Sequence, residues 1–338
     1  MDSIIDFSCR TNPLGMPDFI RERLCAAVSS NGAGYADGLE DLRGALASRH
    51  GVRASQAIAA QGVEELLITL VRACGAKSAV VPVPCPACYL SALKRCGVRA
   101  IPFQLHRKNN FRVQADELKG ALRGADLALV GNPSFPSGGL VRPAELLDCF
   151  DDWLYDGKWL IVDESAIDFT YGSVANSIWS GVRRRERAAV IRSLTELLAM
   201  PMCPVSYAVG GEAWIRAARS FQYSPCISPL AACLPPLLSG IMPFRAATVD
   251  CVRRLMPRFV GRLRHISGMR TLPTDANWVM CRLENPAVAD AAEFARLLEP
   301  QGMTVEPCAD GHHFTLALKI PIETDRFIKA ARAILMPK

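Results

Sequence analysis

Two carboxylates close short segments of this chain, the first of them apolar. Asp163 ends Trp159-Leu160-Ile161-Val162-Asp163, and Glu196 ends Arg192-Ser193-Leu194-Thr195-Glu196. Two carboxylates held in one partly dry pocket push one pKa up, as a general acid requires. The alternative is a Glu196 solvated in a widened, unused cleft, with Asp163 and Glu164 fixing a strand end and its loop. Cys85-Pro86-Ala87-Cys88 sets two thiols at a redox or metal spacing, a weak signal without a second pair at defined spacing. His312 and His313 are adjacent, so in a strand they alternate faces and do not converge easily on one ion.

The elements that must position these groups alternate between strand-like and helix-like patterns, which favours an α/β fold. Residues 79–83, 99–103, 127–130, 159–162 and 189–191 read as short buried strands. Residues 39–49 place Leu39, Leu42, Leu46 and Ala47 near a 3.6-residue period, and residues 64–74 and 143–154 read as further helices, Pro143 in a first turn. A mostly parallel sheet with crossover helices follows. The last third changes character. Helices are expected over 255–263, with Pro257 near its start, over 287–298 and over 327–335, and strands over 278–281 and 314–318.

Three segments, in this order and spacing, resemble the fold-type I enzymes of pyridoxal phosphate (PLP). They are Gly131-Asn132-Pro133-Ser134-Phe135-Pro136-Ser137-Gly138, the run ending in Asp163-Glu164, and Arg192-Ser193-Leu194-Thr195-Glu196. The chain is most similar to the histidinol-phosphate aminotransferase and threonine-phosphate decarboxylase branch. The resemblance implies an α/β, fold-type I PLP-transferase-like architecture: a mostly parallel central sheet with flanking helices, plus a smaller α+β C-terminal domain. It divides the chain into residues 1–30, joining the small domain or a dimer interface, a large domain over 31–240 and a small domain over 241–338.

The same resemblance assigns roles. It implies cofactor contacts at Asn12, at Tyr35 across a dimer, at the Gly62-Val63-Glu64 turn, at Asn132, at Asp163 on the pyridine nitrogen and at Ser193 on the phosphate. Free N–H groups at a helix start favour an anion, which supports Gly62 and Val63, while Glu64 adds an opposing charge. Glu196 falls where the family has its Schiff-base lysine, and a carboxylate cannot form an imine. Pro86, Phe135, Ala166, Pro204 and Thr315 fall where the family has a ring-stacking aromatic, an asparagine, a tyrosine and two arginines. Cys9 and Cys203 join Cys85 and Cys88 on loops expected around the pocket. The expected protein has the fold without conventional transamination. No cofactor is held covalently, PLP binds at most noncovalently, and no metal is assigned. The catalytic candidates are Glu196 and Asp163.

Composition fits that reading. Half of the 338 residues are hydrophobic and 21% are charged, enough core for two domains and too many charges for a membrane protein. Thirteen cysteines scatter without framework spacing, and the first residues have no basic leader pattern, so a cytoplasmic protein with reduced thiols is expected. Arg183-Arg184-Arg185 with Arg187 reads as a solvated loop rather than a nucleic-acid site. Partners implied are a second copy of the chain, a small phosphorylated or amino-acid-like ligand and a biosynthetic partner protein, with no nucleic acid and no membrane. The competing class is an enzyme that holds PLP noncovalently or uses Glu196 and Asp163 without it.

Overall fold

The computed structural model describes residues 4–29 and 35–336. In chain order, β1 (Ile5–Asp6) leads into α1 (Asp18–Ser29) and α2 (Tyr35–Arg49). Strands and helices then alternate: β2 (Ala57–Ala60), α3 (Val63–Cys74), β3 (Ser78–Val83), α4 (Ala87–Arg95), β4 (Arg99–Gln104), α5 (Ala115–Ala121), β5 (Leu127–Gly131), α6 (Pro143–Tyr155), β6 (Trp159–Asp163) and α7 (Trp179–Val182). β7 (Ala188–Ser193), the short α8 (Leu194–Leu197), β8 (Ser206–Gly210) and α9 (Glu212–Arg219) follow. The long α10 (Ile241–Leu263) precedes β9 (Met269–Thr271), β10 (Trp278–Leu283), α11 (Ala291–Leu298), β11 (Met303–Thr304), β12 (Glu306–Pro307), β13 (His313–Ala317) and α12 (Pro321–Leu335).

Seven strands form the central sheet in the order β2-β8-β7-β6-β5-β3-β4. β8 runs antiparallel to both its neighbours, and the remaining pairs are parallel. The five strands read from apolar runs all lie in this sheet. β2 and β8 escape such a reading. Ala57-Ile58-Ala59-Ala60 is rich in alanine, a helix former, and becomes a strand because all four residues are buried between layers. The second correction concerns α10. It begins at Ile241 rather than near Leu255, so Pro257 sits inside it. Ile241, Thr248, Cys251, Val252, Met256, Phe259 and Leu263 bury one side of the whole helix. The proline is exposed, so water can satisfy the Arg253 carbonyl that it leaves unpaired.

A second, four-stranded antiparallel sheet has the order β12-β13-β10-β9. Its core includes Phe259, Phe294, Phe314 and Phe327 and also takes in Ile5 and Phe7. β1 pairs in parallel with β11, Phe7 stacks on Phe327 at 4.9 Å, and the Phe7 carbonyl accepts the Ala317 N–H. Among the described residues no helix is long and apolar enough to cross a membrane.

Buried charge locks the sheet below the cleft. Arg192 on β7 is 3% exposed and pairs with fully buried Glu164 at 2.9 Å and with Asp168 at 3.6 Å; Arg245 reaches Asp168 at 3.4 Å. Ser177 Oγ and the Ile178 N–H donate to the two Glu164 oxygens at 2.7 and 2.8 Å. Burial works against the Arg192 charge, and Glu164 and Asp168 outweigh that and hold it protonated.

His50, whose Nε2 lies 3.0 Å from the Tyr207 hydroxyl, feels the same network. Burial first, then Arg192, Arg49 and Arg245, push its pKa down to about 3. The unfolded chain therefore binds a proton near pH 6.5 that the folded chain refuses, so this residue's contribution falls as pH drops from 6.5 towards 3. Denaturant titrations of wild type and His50→Gln should diverge between pH 7 and 5, wild type losing about 2 kcal/mol relative to the variant. Parallel curves would refute a neutral, buried His50.

Candidate functional site

The chain reverses direction at the ends of β6 and β7, and these ends meet the start of α3. Together with Asn277 and Trp278 at the start of β10 they enclose a cleft of about 380 Å³. Asp163 is the last residue of β6; Glu196 lies on α8, one turn beyond β7. Both line the cleft, as do Gly62, Val63 and Glu64. Five of the nine candidate catalytic and cofactor residues therefore line one cleft.

Glu196 is its most unusual group. The side chain is half-buried, and its Oε2 is buried with no hydrogen-bond partner among the described residues. Burial pushes its carboxyl up. The Ser193 hydroxyl, its own N–H and the Arg10 charge oppose that, and the Asp163 charge adds to it. Asp163 is better served. Its Oδ1 accepts the Ser165 N–H at 2.9 Å and the Ser165 hydroxyl, and its Oδ2 accepts the Tyr89 hydroxyl at 2.7 Å. With about four lone-pair directions on a carboxylate, one direction on Oδ2 is left for a ligand.

At the start of α3, Glu64 is drawn aside. Its Oε1 accepts the Ser91 hydroxyl at 2.7 Å and lies 3.8 Å from Arg95 Nε. Glu65 Oε2 accepts the Gln61 N–H at 3.1 Å. The N–H groups after Gly62 keep an open approach, since a Cβ on Gly62 would meet nothing within 4 Å.

Three expected cofactor contacts are corrected. Asn12 is buried, its Nδ2 donating to the Leu197 carbonyl at 2.9 Å and to Thr248 Oγ1 at 2.6 Å, and its Oδ1 accepting the Leu14 N–H. Asn132 is fully buried and closes a loop by exchanging two hydrogen bonds with the Val141 backbone. Ser193 is 1% exposed, with its hydroxyl turned to Glu196 and 3.5 Å from Ser206 Oγ. Each spends its polar groups inside the protein, and none lines the cleft. Tyr35 opens α2, and its side chain lies outside the described residues.

Pro86, Phe135, Ala166 and Pro204 do line the cleft, whereas Thr315 is buried in β13, 3.5 Å from Glu306 Oε2. Of the thiols, only Cys88 is among the lining residues; burial, then Asp163 and Glu64, push it up to about 12, so it is no thiolate at neutral pH. Burial also lifts Cys85, to about 11. Among the described residues no group of His, Cys, Asp and Glu is placed to hold a metal ion.

Sequence reasoning missed Asn277, Trp278 and Tyr89, and passed over the use made of Arg10. The Arg10 guanidinium lies 4.3 Å from the Phe135 ring centroid and 5.5 Å from that of Trp278, and pairs with Glu306 at 3.0 Å. Asn277 is fully buried. Its Nδ2 must face the Arg10 carbonyl, to which it donates at 2.7 Å, and this leaves Oδ1 as a buried acceptor without a donor. No spacing signals this, because Arg10 and Asn277 are joined only in the folded chain.

Covalently held PLP does not fit this donor set. Among the described residues no lysine lines the cleft, so none of the lining side chains offers an amine for an imine, and Lys319 Nζ donates to the Cys9 carbonyl at 2.9 Å.

Comparison with known proteins places the chain. Over 342 residues it is 25% identical to the threonine-phosphate decarboxylase of Salmonella typhimurium, spanning 99% of this chain and 92% of that one. It is 26% identical to histidinol-phosphate aminotransferase 1 of Bordetella parapertussis, over 96% of this chain and 89% of that protein. The histidinol-phosphate aminotransferase structure from Clostridium acetobutylicum shares the fold, with a TM-score of 0.87 at 20% identity over 98% of this chain and 99% of that one. The family model "Aminotransferase class I and II" matches residues 10–313, and with its fold-type I architecture the chain belongs to that family.

Proposed function

We propose that this protein uses the aminotransferase fold to bind a small ligand without Schiff-base chemistry, as a binding or partner protein in small-molecule or cofactor biosynthesis. One observation carries the reading. Among the described residues no lysine lines the cleft, and Glu196 Oε2 and Asn277 Oδ1 are buried acceptors that lack donors. Leaving such an acceptor unsatisfied costs about 1–3 kcal/mol, and a ligand bearing N–H groups would remove that cost. A primary ammonium is the matching group, and Arg10 and the start of α3 suit an acidic group at its other end. The ligand is thus an amine carrying a phosphate or carboxylate, in keeping with the phosphorylated compounds named for the relatives. Glu196 replaces the lysine of catalytic members, and the protein assembles as a homodimer, as they typically do.

A second reading keeps PLP as a noncovalent ligand, supported by the free direction on Asp163 Oδ2 and the open N–H groups after Gly62. Titration with PLP, followed by borohydride reduction and mass spectrometry, separates the two from ordinary catalysis. The expected result is no reduced adduct. A stoichiometric adduct on one lysine would overturn the proposal. A saturable spectral change without an adduct would favour the second reading.

A further inference from the structure

A second polar cavity, of about 700 Å³, opens on the other sheet and shares no lining residue with the cleft. The residues that matter are Arg107, Lys108, Arg264, Arg270, Arg282 and His313. Their placement follows from strand register. Arg270 on β9 pairs directly with Arg282 on β10, which pairs directly with His313 on β13. Directly paired residues point to the same face, so two arginines and a histidine form one row across three strands. Like charges directly opposite each other destabilise a sheet.

Acidic neighbours relieve part of this: the Glu284 carboxylate feels Arg282, Arg270 and His313, and Asp310 lies 2.6 Å from the His313 ring. Glu284 pairs with Arg282 and lies 3.7 Å from Arg107. Arg264 Nε donates to Thr271 Oγ1 at 3.2 Å. Among the described residues Lys108, Arg264 and Arg270 make no ion pair with a carboxylate. Two buried polar atoms also lack partners, Arg282 Nε and His313 Nε2, and His313 is 3% exposed. The Asp310 carboxylate, 2.6 Å from Nδ1, fixes the ring so that Nε2 is the nitrogen left over. A ligand with several anionic oxygens would satisfy the unpaired guanidinium N–H and neutralise the row.

We infer that this cavity is a binding site for a phosphorylated small molecule, separate from the cleft and independent of the function proposed for it. Arginine forks match phosphate oxygens in pairs, whereas a single carboxylate leaves most of these donors unused. Because Arg107 and Lys108 follow β4 of the large sheet while the row belongs to the small one, a bound phosphate would also bridge the two sheets.

The test is calorimetric titration of the full-length protein with inorganic pyrophosphate at low salt, paired with melting curves. Saturable binding and a raised melting temperature are expected. Arg270 is exposed, so Arg270→Glu keeps the fold, and it should weaken pyrophosphate binding by about tenfold or more. Arg142→Glu, an equal charge reversal outside the cavity, should leave the affinity within about twofold, because exposed distant charges are screened. No saturable binding, or equal losses in both variants, would overturn the site.

Discussion

Arg192→Ala is expected to lower the unfolding free energy by about 3–5 kcal/mol, the loss that follows when one partner of a buried ion pair is removed. The reason lies in what the substitution leaves behind. Glu164 is fully buried and 2.9 Å from the guanidinium, and Asp168 is 6% exposed at 3.6 Å. Without Arg192, Glu164 keeps the Ser177 and Ile178 donors, and two carboxylates share a dry region with Arg245 3.4 Å from Asp168. Glu164 would be protonated to relieve this, so the penalty should shrink at acidic pH. Chemical denaturation at pH 7.5 and 5 reads both effects. A loss below about 1 kcal/mol would mean that the pair behaves as a surface ion pair and that the network does not hold β6 and β7 together.

Glu196→Gln is expected to act in two opposite directions. The buried carboxyl has its pKa raised, chiefly by burial. Such a group costs the folded state nothing at pH values low enough to protonate it in both states, and destabilises it once pH rises through the folded pKa. The variant, uncharged throughout, should therefore melt higher than wild type at pH 8, with the difference vanishing towards pH 4. Ligand binding should move the other way. A charge-assisted hydrogen bond to an ammonium is worth about 1.5–3 kcal/mol, so affinity for an amine such as pyridoxamine phosphate should fall about 10- to 100-fold in the variant. 4′-Deoxypyridoxine phosphate, which has a hydrogen in place of the amine and so no donor there, serves as the control and should bind both proteins alike. Equal affinity of wild type and variant for the amine would remove Glu196 from ligand recognition while leaving the fold assignment intact.

The sequence carried the frame of this site because apolar runs and turn residues are local. Asp163 and Glu196 both line one cleft: the apolar run before Asp163 marks its strand, whereas Glu196 was brought to the same pocket by the resemblance of its segment to the family's motif. The turn at Gly62 was legible for the same reason. What failed was side-chain direction. Asn12, Asn132 and Ser193 have residue types suited to a ligand, yet each satisfies itself against backbone or neighbours fixed only by the tertiary fold. Tyr89 could not be linked to Asp163, nor Asn277 to Arg10, across separations of 74 and 267 residues. The strand β2 was lost to alanine, whose burial reflects a crowded interior rather than β propensity. The cationic row demanded most, since Arg270, Arg282 and His313 line up only after the strand pairing is known.

The pairing of β1 with β11 has a consequence for how the chain is made. Asp6 accepts a hydrogen bond from Thr304, 298 residues later, and Phe7 enters a core whose other members lie mostly near the opposite end of the chain. During synthesis at about 5–20 residues per second, the first strand waits roughly 15–60 s before its partner leaves the ribosome. For that interval Ile5 and Phe7 have no native surface to cover them. β1 therefore cannot settle until β11 has been made, and the β1–β11 pairing is a step that nascent chains cannot begin early.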